Sequence, residues 1–205
     1  MLVTKGNPMK NAAIQLVDQF TAVVTIDIQL DYFPGGRFPL WRARHALKRN
    51  RQLLVWARQR GLPIFHVQHF TLRPGARFLQ DGTPGTALHP GLAIQDGEPV
   101  IAKHFPNSFR DTNLEQSLRE RGITTVIWTG MISWMCVDTT VRAAFDLGFK
   151  NILIHDATAS GPLWRNIGGW PGIVWPWRLQ SAFMAALGAF HAQVLGLRDF
   201  LRLVI

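Results

Sequence analysis

Cysteine is nearly absent from the chain: one residue, Cys136, in 205. A single thiol excludes an intrachain disulfide and fits a reducing compartment. Long apolar runs are missing too. No stretch approaches the roughly 20 residues of a membrane span, and "MLVTKGNPMKNAAIQLVDQF" at the start holds no continuous apolar core. No secretory signal is therefore expected, and a cytoplasmic protein that does not use a membrane is. Acidic residues are few, 13 against 22 Lys and Arg, which leaves a formal charge of +9. A basic balance can mark nucleic-acid binding. Zinc-finger spacing and RNA-binding aromatic motifs are both lacking, however. The densest basic group, Arg42, Arg44, Lys48, Arg49, Arg51, Arg58 and Arg60, alternates with apolar residues at helical spacing. It reads as the solvated face of an amphipathic helix, and no nucleic-acid partner is expected.

What is present is a globular composition, with 47% apolar and 17% charged residues. One domain over 1–205 of this length buries about 70% of its unfolded surface. "TAVVTIDIQ" (21–29), "LPIFHVQHF" (62–70), "PVIAK" (99–103), "ITTVIWTG" (123–130) and "KNILIHDA" (150–157) read as strands. Helices are expected from Trp41 to Arg60, after Asp111–Asn113, from near Met135, and over "RLQSAFMAALGAFHAQVL", with a short final strand after it. Ala43, Ala46, Leu47, Leu53, Leu54 and Ala57 form the apolar face of the first helix, and Gly61, Gly122 and Gly148 supply stops. Residues 71–98 have no period and read as a long loop. Alternating strands and helices without repeat or linker predict a three-layer α/β/α, Rossmann-like domain on a mainly parallel sheet.

Ligands of such sheets bind beyond the carboxyl ends of the strands. Three reactive side chains fall there: Asp27, Lys103 and Cys136. A thiolate is a nucleophile, and a helix start and a lysine both favour its charge. Asp27 is suited to accept the thiol proton and return it to a leaving amine. N–H groups around Ile132 and Cys136 are suited to an oxyanion. Each residue also has an ordinary reading: Cys as a small core filler, Asp as a turn residue, Lys as a solvated charge. Position alone leaves both readings open.

"VVTIDIQLDYFPGG", "VIAKHFPNSFRDTNL" and "VIWTGMISWMCVDTTVRAAFDLGF" together resemble the isochorismatase-like cysteine hydrolase superfamily, which includes nicotinamidases. The resemblance runs from about Thr21 to Ser160, and "QSAFMAALGAF" extends it. It implies a catalytic triad at Asp27, Lys103 and Cys136, an oxyanion hole from the N–H groups of Ile132 and Cys136, and a non-proline cis peptide between Met131 and Ile132. It implies a homo-oligomer, a dimer or larger.

The metal-binding Asp-x-His of nicotinamidases is matched by His69 and Thr71, so no metal and no cofactor are expected. His66 and His69 are assigned structural roles at the strand end. Phe33, Phe109 and Trp134 are candidates for the substrate pocket; Trp134 is also read as a subunit contact. The implied activity is cleavage of an amide or related C–N bond of a small molecule through a thioester. The alternatives are an inactive binding or assembly protein of the same fold, and a vinyl-ether hydrolase, against which Cys136 argues. The segment 161–177 carries four tryptophans, three prolines and no carboxylate. It reads as an interface, a loop packed on its own domain, or a lid.

Overall fold

The computed structural model of the chain describes residues 14–167 and 170–204. The first thirteen residues, read above for a signal, and Gly168 and Gly169 of the tryptophan-rich segment lie outside the described residues.

Six strands form one sheet. They are β1 (Thr21–Ile26), β2 (Ile64–His69), β3 (Val100–Lys103), β4 (Thr125–Met131), β5 (Lys150–Ala159) and β8 (Gln193–Leu195), in the order β3-β2-β1-β4-β5-β8. Every neighbouring pair is parallel. All six residues of β1 are buried, as expected of a central strand covered on both faces. Val23 faces one core cluster, which includes α1 (Ala43–Gln59) and α5 (Leu197–Leu203). Ala22, Val24 and Ile26 face the other, which draws on α2 (Leu114–Glu120), α3 (Asp138–Asp146) and α4 (Pro176–Phe190). The three-layer α/β/α expectation is met.

Four details differ from the sequence reading. Asn50 lies on the buried face of α1, where it donates to Ala46 O and Ala157 O and accepts from Thr129 Oγ1. The basic face of α1 is only partly solvated: Arg49, Arg58 and Arg60 pair with Asp156, Glu98 and Asp18. The tryptophan-rich segment contains a separate antiparallel pair, β6 (Leu163–Ile167) and β7 (Trp170–Val174). The chain then adds α5 after β8, since Leu197 and Phe200 find a place in the core beside Trp56. The loop 71–98 is irregular apart from 3-10 turns at Pro84–Thr86 and Pro90–Leu92. No helix among the described residues is long and apolar enough to cross a membrane.

Glu98 ties the start of β3 to α1 and β2. It accepts two hydrogen bonds from Arg58 at 2.7 and 2.9 Å, one from the Gln95 N–H, and one from His66 at 3.0 Å. Burial raises its pKa, but Arg58, the Gln95 N–H and His66 outweigh that and hold it down at about 2. A depressed carboxylate contributes stability above its unfolded value of 4.5 and loses it as pH falls towards 2. Glu98→Gln is expected to lower stability at pH 7 by about 2 kcal/mol. Denaturant titrations should show the gap to wild type closing between pH 4.5 and 2. A gap independent of pH would contradict the assignment.

Candidate active site

Asp27 follows β1 directly, in the left-handed region at φ 50°. Asp tolerates that conformation better than most residues. The turn lifts the carboxylate out of the strand ladder at the carboxyl end of the sheet. The pairing of β2 with β3 sets Lys103 opposite His69, and that of β1 with β4 sets Ile26 opposite Gly130. Gly130 has φ 124°, and a Cβ there would collide with the backbone of Ile26. Only glycine allows β4 to pass so close to the end of β1. The Met131–Ile132 peptide is cis. The chain then enters a wide turn, Ser133–Val137, closed by Val137 N–H to Ile132 O at 3.2 Å. Cys136 sits in this π-turn. It is not in the first turn of α3, which starts at Asp138.

The three residues separated by tens of positions in sequence meet here. Lys103 Nζ lies 2.9 Å from Asp27 Oδ2 and donates to Pro106 O at 2.9 Å. Both charged side chains are fully buried. Asp27, His69 and Cys136 each bring a ligand-type atom within 4.8 Å of the others. Cys136 is 2% exposed. Burial first, and the Asp27 charge second, push its thiol up to about 12, against the downward pull of Lys103. The resting sulfur is therefore a thiol, not the thiolate that a helix start alone would favour. Lys103 remains an ammonium: burial opposes its charge, but Asp27 and Cys136 raise its pKa.

His66 has the structural role assigned to it, bridging Thr25 and Glu98. His69 does not. Its backbone is held by Gln29 through Nε2 to His69 O and His69 N to Oε1. Its ring stands beside Asp27 and Cys136, with a buried Nδ1 that has no protein partner. Burial lowers its pKa, so the imidazole is neutral. Tyr32 completes the surround; burial, then Cys136 and Asp27, raise its phenol well above the usual value. Neither role was readable from spacing. The Asp-x-Gln pattern was the only signal, since Gln29 is what fixes His69.

The cluster of Asp27, His69 and Cys136 does not fit a divalent cation. The Lys103 ammonium, 2.9 Å from Asp27 Oδ2, sets a positive charge beside its three donors and repels a second cation there.

An open cavity of about 330 Å³ lies outside the site, lined by Thr71, Arg73, Ala76, Arg77, Phe78 and Met135. None of the three sequence-chosen pocket residues lines it. Phe33 packs on His89, Phe109 stacks on Phe149 and meets Trp128 edge-on, and Trp134 donates its Nε1–H to Gly161 O. Their rings pack in the core and at the turns. A second depression of about 210 Å³, between Trp41, Arg42, His45, Arg49, Asp156 and Gln180, contains none of the three reactive side chains.

Fold and site together define a three-layer α/β protein with a buried thiol at the carboxyl end of a central parallel strand. The Isochorismatase domain family matches residues 21–163. The chain belongs to the isochorismatase-like cysteine hydrolase superfamily. It is 38% identical over 182 residues to the uncharacterized isochorismatase family protein YddQ of Bacillus subtilis, covering 89% of this chain and 99% of that one. It is 35% identical to a streptothricin hydrolase of Streptomyces noursei (68% of this chain, 49% of that one). It is 33% identical to the ureidoacrylate amidohydrolase RutB of Methylorubrum extorquens (65% and 58%). The solved structure of an isochorismatase from Pseudomonas putida superposes with a TM-score of 0.81 at 30% identity, covering 91% of this chain and 92% of that one.

The electrostatics give a prediction of opposite sign to a simple loss. Asp27→Asn removes an upward push on the thiol and leaves Lys103 pulling it down. The thiolate fraction at pH 8.5 should rise, and with it the rate of iodoacetamide labelling, by roughly ten- to a thousandfold. An unchanged rate would show that the carboxylate does not act on Cys136.

Proposed function

We propose that the chain is a cysteine hydrolase that cleaves an amide or related C–N bond of a small molecule through a thioester. The observation that carries this reading is the buried Asp27–Lys103 pair set against the only thiol of the sequence. As Cys136 Sγ attacks the carbonyl carbon, Asp27 takes the thiol proton. The N–H groups of Ile132 and Cys136 receive the oxyanion. Asp27 returns the proton to the leaving nitrogen as the C–N bond breaks. In the second half Asp27 accepts a proton from water, the hydroxide attacks the thioester, and the departing sulfur recovers that proton. Lys103 holds Asp27 in position through their 2.9 Å contact and offsets negative charge developing on sulfur.

A thiol whose pKa stands near 12 suits this order of events, because attack and proton transfer are then coupled through Asp27. The streptothricin hydrolase and ureidoacrylate amidohydrolase among the relatives support hydrolysis, the second of an amide. A homo-oligomer remains the expected assembly. Trp164, at 77% exposed, with Trp175 and Trp177 nearby in sequence, supports an interface between copies.

A screen of small amides, hydrazides and ureides should find a substrate that wild type turns over. Cys136→Ala should abolish that turnover, and Asp27→Asn should cut it by about 100- to 10,000-fold. Turnover that survives Cys136→Ala sinks the covalent mechanism. The unfit donor set predicts that exhaustive chelation leaves activity unchanged; loss restored by added zinc or iron would refute this.

A further inference from the structure

The cavity beside the site has walls of two kinds. Ala76, Phe78 and Met135 are apolar, and Arg73 and Arg77 bring two positive charges. Met135 directly precedes Cys136. Phe78 lies 5.8 Å from the Tyr32 ring, whose phenol feels both Cys136 and Asp27. Thr71 stands two residues after His69. The cavity therefore lies near the reactive side chains, although none of the three lines it. At about 330 Å³ it is at the small end of ligand pockets.

Among the described residues, Arg73 and Arg77 take part in no salt bridge and no side-chain hydrogen bond, whereas Arg49, Arg58, Arg60 and Arg142 all do. The base of their loop is held in place. The loop that carries them is closed at its neck by Thr71 N–H to Leu79 O at 2.7 Å and Asp81 N–H to Thr71 O at 3.3 Å. Leu79 is fully buried, and its N–H donates to Asp31 Oδ2 at 2.6 Å. A compact loop pinned in this way presents its guanidiniums from a fixed base.

On the hydrolase reading above, we propose that this pocket selects a small amide with an apolar arm and a negatively charged end group, a carboxylate being the group two guanidinium forks fit. Planar N–H donors in pairs match carboxylate oxygens, and an opening rimmed by one sign of charge draws in the opposite sign.

Because the chain has one cysteine, the test needs no substrate. Iodoacetate and iodoacetamide both alkylate the sulfur, forming an S–C bond as iodide leaves, and differ in one negative charge. The ratio of their rates on Cys136 should exceed the ratio on 2-mercaptoethanol by about tenfold. It should fall to that reference in the Arg73→Gln/Arg77→Gln double variant, persist in Arg73→Lys/Arg77→Lys, and shrink as salt is raised. The iodoacetamide rate should be the same in all three proteins, which reports an intact fold. A ratio unchanged by the glutamine pair overturns the proposal, as does failure of both reagents to reach Cys136. Failure of the hydrolase reading looks different: amide turnover unaffected by Cys136→Ala, whatever the reagent ratio.

Discussion

The contact on which the site depends is the ion pair between Asp27 and Lys103, 2.9 Å apart with no exposure on either side chain. Neither charge is tolerable alone in that position, because desolvating an isolated carboxylate or ammonium costs several kcal/mol or more. The fold brings them together by topology. β1 and β3 are not neighbours; β2 lies between them. Asp27 turns out of its ladder in a left-handed conformation and Lys103 reaches in from the end of its strand, so the pair closes across the end of β2. His69 sits at that end, its backbone clamped by Gln29, which also donates to Thr86 O at 2.6 Å. The Asp-x-Gln sequence thus does two things. Asp27 supplies the charge, and Gln29 locks the neighbouring strand and the following loop beneath it.

That pair also decides the state of the thiol. A cysteine near a helix start is commonly thought of as an activated thiolate, lowered by the dipole and by adjacent cations. Here Lys103 is committed to a carboxylate, so its charge is largely neutralised. Burial and Asp27 then dominate, and the proton stays on sulfur. The π-turn contributes to this, since it places Cys136 before α3 begins and inside the apolar cluster with Val137 and Val141. Reactivity on this arrangement is conditional. On the proposed mechanism it requires a carbonyl close enough for attack, and Asp27 free to receive the proton at that moment.

Much of this was legible in the sequence, for physical reasons that differ by element. The central strands were readable because burial on both faces forces unbroken apolar runs such as "TAVVTI". Helix stops were readable because a chain leaving a helix often needs positive φ, as Gly61, Gly122 and Gly148 show. Asp27, Lys103 and Cys136 stood out as polar residues terminating or following apolar runs. Asn50 did not, because a buried amide on a helix is favourable only with partners from elsewhere, here Ala157 O and Thr129 Oγ1 at 2.8 and 2.6 Å. They meet beside the register shift between Trp128 and Gly130, which no local pattern announces. The β6–β7 pair was hidden by its own composition, where Pro171 and Gly172 interrupt any alternation. His69 was misread because its value lies in which side chains surround it, a fact of tertiary packing.

The same contrast separates the chemistry from its selectivity. The acid, the ammonium and the thiol hang from strands and a turn fixed by the sheet, and their geometry follows from strand order and register. All the cavity walls but Met135 hang instead from one loop, which a buried carboxylate helps to anchor. Asp31 accepts from Leu79 and Arg37 N–H groups, and Gly85 packs so close to it that a Cβ there would strike the carboxylate. Residues 72–78 carry Arg73, Ala76, Arg77 and Phe78 of that cavity and include neither Asp31, Leu79 nor any strand. On the proposed reading, the bond-breaking parts sit on the sheet and the choice of substrate rests on a short, separately anchored segment.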